Sequence, residues 1–327
     1  MSGNSMWLAG TALISFAAGY ALDKGTGAAA PVASPQVQQA AVAQAQGWFS
    51  SVPAAPPAPP AAGSQAPAAS TDLLARLQAM APNDDSTERD RLVSQLGAAL
   101  RADDGLRRRT FAAYLKAPQG EAAGRLANAL AEADGPELEQ AALRASGPES
   151  PLPERLATLR LLASMNSVSP VTRTALLTSL NNGSVTDPAM VSATLGALAP
   201  RGAMSVAEQA HVQAGLQPFL RAPDAATRQQ ALGLATMWAP KEAGTVEALK
   251  SAVSDPSPEV RATAVAALAR TNAGADEVRG VLMARMSDER EVLAVRQAAA
   301  FALGDIPMDA AAMAAYGAFM QKHKAEP

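Results

Sequence analysis

The sequence predicts an all-α fold, and three observations lead there. Hydrophobic residues make up 48% of the 327 positions, yet aromatics supply only 4%, and alanine fills much of the gap. Alanine is the strongest helix former and lets helices approach closely, whereas strands favour β-branched and aromatic residues. No stretch alternates apolar and polar residues as a half-buried strand would. A buried-helix spacing also returns about every 35 residues through the second half of the chain.

Residues 1–5 form a short tail ahead of Met6–Leu22 (MWLAGTALISFAAGYAL), 17 uncharged and mainly apolar residues. As a helix this run is about 26 Å long, a minimal span of a hydrocarbon core roughly 30 Å thick. Three readings compete: an uncleaved transmembrane signal anchor, a cleaved secretory signal and a peripheral helix. A secretory signal requires a basic n-region, and Met1–Ser5 contains no Lys or Arg, so the anchor is the reading adopted. Thr11, Ser15 and Gly19 recur every four residues. They form a candidate packing face for another membrane helix, unless small residues are simply common in this run.

Residues 23–71 read as a disordered linker. From Gly25 to Thr71 no charged residue occurs, and Pro53–Pro60 reads PAAPPAPP. Proline removes backbone donors and favours extended chain, and the segment lacks large apolar residues for a core. Within it, Trp48 and Phe49 suit a membrane interface or an ordinary linker. Orientation signals are nearly silent, with Lys24 beside Asp23 as the only flanking charges. The arrangement favours a single-pass inner-membrane protein with its bulk in the periplasm over a cytoplasmic-facing one.

Residues 72–149 are predicted helical but irregular, an N-terminal cap or divergent repeats. Short helices are expected at Leu74–Met80, after a capping box at Asp85–Glu88, and over Gly105–Lys116, Glu121–Ala133 and Pro136–Ala145. Regular repeats are expected over residues 150–308. The clearest is Ser254–Arg270 (SDPSPEVRATAVAALAR), where Asp255-Pro256 stops one helix and starts the next. Arg261 there precedes an apolar set at Ala264, Val265, Ala267 and Leu268. The pattern returns around Arg228 and Arg296, and more weakly around Ser192 and Arg155. Residues 309–324 are expected to form a C-terminal capping helix.

The pattern D-x-x-P-x-V-R-x-x-A-x-x-A-L resembles the bacterial HEAT-like repeat, related to the repeats of phycobilisome lyases, most strongly over residues 222–306. The resemblance implies a right-handed α-solenoid of antiparallel helix pairs with an interaction groove. It also implies that Arg155, Arg228, Asp255, Arg261 and Arg296 are ladder residues linking neighbouring repeats. The lyases handle bilins, but only the scaffold is shared.

Chemistry is hard to find in the sequence. The net charge of −3 gives nucleic acid no electrostatic footing. Cysteine is absent, which removes thiol catalysis and cysteine-held metal. The two histidines, His211 and His323, stand in no triad or metal spacing. No phosphate loop or paired-carboxylate motif appears, so no cofactor, metal or small-molecule substrate is expected. Arg107, Arg108 and Arg109 form the one dense basic cluster, a candidate contact for an anionic surface or simply a solvated face. With 21 Arg against 6 Lys, the composition is associated with a GC-rich bacterial genome. The expected function is a non-catalytic, membrane-tethered protein-interaction scaffold or regulator at the bacterial envelope. The alternative is a structural subunit of a larger envelope complex assembled partly through its membrane helix.

Overall fold

The computed structural model describes residues 68–323, apart from 82–84, 203 and 272–273. The apolar run 6–22, with Thr11, Ser15 and Gly19, and the linker up to residue 67 lie outside the described residues. Among those described, no helix is long and apolar enough to cross a membrane.

The described residues are all helix and turn, without a strand. In chain order the helices are α1 (Ala68–Ala79), α2 (Ser86–Ala102), α3 (Asp104–Lys116), α4 (Glu121–Ala133) and α5 (Pro136–Ala145). Then come α6 (Leu152–Ser164), α7 (Pro170–Asn181), α8 (Pro188–Ala197), α9 (Val206–Leu216) and α10 (Ala225–Trp238). The stack finishes with α11 (Ala243–Ala252), α12 (Pro258–Leu268), α13 (Ala275–Ser287), α14 (Leu293–Gly304) and α15 (Ala310–His323). A short 3₁₀ turn, Phe219–Arg221, precedes α10.

These helices fall into two layers. The even-numbered helices α2 to α14 pack each on the next, and each odd-numbered helix packs against the even-numbered one that follows it. The repeating unit is therefore an odd-numbered helix with its even-numbered successor, seven times over. α15 remains at the end, packed on α13 and α14 without a successor among the described residues.

One burial pattern runs through the whole first layer and explains why it stacks. In α12 the buried residues are Val260, Ala264, Val265, Ala267 and Leu268. The same intervals bury Val295, Ala299, Ala300, Ala302 and Leu303 in α14, and Thr227, Ala231, Leu232, Leu234 and Ala235 in α10. In α8 they bury Met190, Thr194, Leu195, Ala197 and Leu198. This corrects one expectation: the register places Val191, not Ser192, at the arginine position of that repeat. The pattern extends into α2 through Leu92, Leu96, Gly97 and Leu100. The region of irregular sequence thus belongs to the same stack. Alanine makes such close layering possible, and Gly97 marks a tight point: a Cβ there would lie 2.9 Å from that of Glu132.

Local chemistry sets the helix ends. Asp103, Asp187, Asp224 and Glu242 each accept a hydrogen bond from a backbone N–H in the first turn of the helix that follows. Asp85 caps α2 in the same way, but the expected capping box is only half made. Glu88 turns instead to Arg76 and Arg91, at 3.0 and 2.7 Å. α1 starts at Ala68, earlier than Leu74, and Arg125 of α4 donates to the carbonyls of Leu77 and Met80 at its far end.

Candidate functional site

The candidate site is the surface of the stack and the residues that shape it. The ladder arginines come first. Arg228 donates from Nε and Nη2 to both carboxylate oxygens of Asp255, 27 residues on, at 2.8 Å each. Its Nη1 reaches the carbonyls of Ala222 and Pro223 at 2.9 Å. Arg261 repeats the arrangement one unit later: Nε and Nη2 on Glu291 at 2.8 and 2.6 Å, Nη1 on the carbonyls of Asp255 and Pro256. A planar guanidinium can satisfy a carboxylate and two carbonyls at once, which lysine cannot.

Arg155 and Arg296 keep only the carbonyl half of this role. Arg155 donates to the carbonyl of Ser146 at the end of α5, and Arg296 to that of Met286 near the end of α13. Among the described residues neither forms an ion pair with a carboxylate. Arg296 lies instead over the Phe319 ring, 5.4 Å from its centroid. The shared function of the four arginines is thus to cap the turn before their own helix, and two of them also bridge to the following repeat.

The electrostatics follow the geometry. Hydrogen bonds from Arg228 hold the Asp255 carboxyl below the usual carboxylate range, and Arg261 does the same for Glu291. The guanidinium groups are correspondingly raised by their carboxylates. Both pairs stay ionised at neutral pH.

A second and deeper linkage escaped the sequence reading. Arg173 of α7 is only 2% exposed; its Nε donates to Glu208 of α9 at 2.6 Å, and its guanidinium lies 5.4 Å from the centre of the Trp238 ring on α10. Arg201 stands nearby, its pKa lowered by burial and by the charge of Arg173. Trp238 is itself buried, its indole N–H bonded to the carbonyl of Leu198. The signal in the sequence was the lone tryptophan inside an alanine-rich repeat, which needs a partner for its N–H.

The basic cluster does not act as a unit. Arg107 is half-buried and paired with Asp104 and with Glu137, while Arg108 and Arg109 are exposed. Asn181, read as part of a turn, also stitches α7 to α9 through the carbonyl of Gly215. His211 is exposed, and His323 packs against Phe319 with the rings tilted by 46° and their centres 4.5 Å apart. Among the described residues no cluster of His, Asp and Glu could hold a metal ion.

The stack therefore presents two unlike layers. From α8 onward the first-layer helices carry only four charged residues: Arg228, Glu259, Arg261 and Arg296. The three arginines are tied up as described, and Glu259 accepts from Ser257 at 2.5 Å. Exposed on this layer are Met237 and Phe301, 56% and 66% accessible. Glutamine, threonine and serine supply its polar contacts, as in Gln229 to Thr263 and Gln230 to the carbonyl of Ser192. The second layer holds exposed charge, including Glu247, Lys250, Asp276 and Glu277.

Comparison with known families turns on this same ladder region. Residues 214–304 match the family model of HEAT repeats. Over this stretch the chain is similar to HEAT-repeat proteins. The matched segment holds both carboxylate-bridged arginines and α10 to α14, where the repeat is most regular. No curated protein matches the chain. HEAT repeats stack helix pairs into extended binding surfaces and serve broadly as protein-interaction scaffolds.

Proposed function

We propose that the protein is a non-catalytic interaction scaffold whose first helix layer receives a protein partner, tethered to a membrane by residues 6–22. The observation that carries this reading is the charge-poor first layer from α8 onward. Its three arginines are tied up within the stack, and amide, hydroxyl and apolar groups make up most of what faces outward there. Such a face favours a partner recognised by shape and apolar contact over an anion or nucleic acid. The uncharged run 6–22 and the linker behind it support tethering, which would raise the local concentration of a partner at the membrane. Periplasmic placement at a bacterial envelope is part of the proposal and rests on the sequence of the first 71 residues.

Photo-crosslinking residues placed at Gln230 and Ala266 of the first layer, and at Glu247 and Lys250 of the second, test the reading in cells. The proposal expects a discrete adduct from the first pair, lost on Met237→Glu. Adducts from the second layer alone would overturn it. Protease treatment of spheroplasts tests placement, with digestion from outside expected for the repeat domain and protection counting against it.

A further inference from the structure

At each junction along the stack, a first-layer helix and the odd-numbered helix after it together seat the next first-layer helix. α12 and α13 seat α14 in this way. α14 and α15 form the same kind of seat, yet among the described residues no helix fills it. Gln297 stands at the register position of Gln229, which reaches forward to Thr263 of the next first-layer helix. Phe301 lies one turn further along, 66% exposed. Between them and α15 is an open groove of about 510 Å³, lined by Ala300, Phe319, Met320 and Gln321 among others. A solenoid end that faces water is normally closed by a polar cap. Here Phe301, Met313 and Met320 are exposed instead.

We infer that the α14–α15 groove is a docking site for an amphipathic helix bearing the first-layer pattern of this protein's own repeats. The groove continues the established interface between repeats: six junctions from α2 to α14 accept such a helix, and the seventh is built alike. The chemistry of the seat narrows the occupant. α15 has no charged residue before Lys322, and the only charge on α14 is Arg296, held by the Met286 carbonyl and the Phe319 ring. The docked face must then be uncharged and small, with apolar residues at the intervals of Val260, Ala264, Val265, Ala267 and Leu268, and a hydroxyl or amide to meet Gln297. Charged groups on that face would lose water without gaining a partner.

The test is fluorescence anisotropy of a labelled synthetic peptide spanning Ser254–Arg270, titrated with the purified full-length chain. Saturable binding is expected, weakened at least about tenfold by Phe301→Glu and by Met320→Glu. Val171→Glu, at a position of the second layer that is 62% exposed and far from the groove in sequence, should leave affinity unchanged, and circular dichroism should show all three variants folded. Absence of saturable binding, or binding indifferent to Phe301→Glu and Met320→Glu, would overturn the inference. Loss of this groove leaves the first-layer reading standing, because that reading is tested at Gln230 and Ala266.

Discussion

At the scale of single residues, the buried charges decide most. Arg173 and Glu208 are 2% and 9% exposed at their side chains, so removing one strands the other in a low-dielectric interior. Arg173→Met should cost about 3–5 kcal/mol in chemical denaturation, whereas adding Glu208→Leu should recover most of that loss. The ladder pairs predict a pH dependence. Asp255 and Glu291 have carboxyl pKa values depressed by their arginines. Their stabilisation is therefore complete above the ordinary carboxylate pKa of about 4 and disappears as pH falls through the lower folded value. The combined Asp255→Asn and Glu291→Gln variant should be less stable than the parent at pH 7. Its stability should fall less steeply below about pH 4, so that the two curves converge in acid.

At the scale of helices, glycine shows how local propensity and packing compete. Gly97 and Gly233 both sit within first-layer helices, where alanine would gain up to about 1 kcal/mol of helix propensity. At Gly233 a Cβ meets nothing within 4 Å, so Gly233→Ala should stabilise by about 0.5–1 kcal/mol. At Gly97 the added carbon lands against the Glu132 Cβ, and overpacking of this kind costs about 1–3 kcal/mol. Gly97→Ala should therefore lower the melting temperature while Gly233→Ala raises it. Legibility in the sequence follows the same division. Proline and aspartate punctuation set most helix boundaries, and arginine spacing revealed α10, α12 and α14. The repeat at α2 was hidden, and the one at α8 was read one residue out of register, because Val93 and Val191 stand where the arginine would be, while burial, invisible in one sequence, keeps the same intervals. Arg173 and Arg125 were missed because their partners, Glu208 and the end of α1, lie 35 and 48 residues away with no periodic signal.

At the scale of the whole stack, the buried apolar residues separate into two cores that meet at α10. Leu234, Ala235 and Trp238 belong to the core that begins at Leu77, and Leu232 to the one that ends at Phe319. Repeat arrays owe their stability to repeats plus nearest-neighbour interfaces, so unfolding need not be all-or-none. The ladder pair Arg228–Asp255 ties α10 to the chain just before α12, on the second core's side of that division. The ladder thus couples neighbouring repeats as well as capping a turn. Native-state hydrogen exchange on the full chain, with and without Arg228→Met, tests this coupling. Faster exchange is expected across α12 to α14 as one block, with α2 to α8 unchanged. Uniform loss of protection along the stack, or none beyond the turn at Ala222, would contradict it.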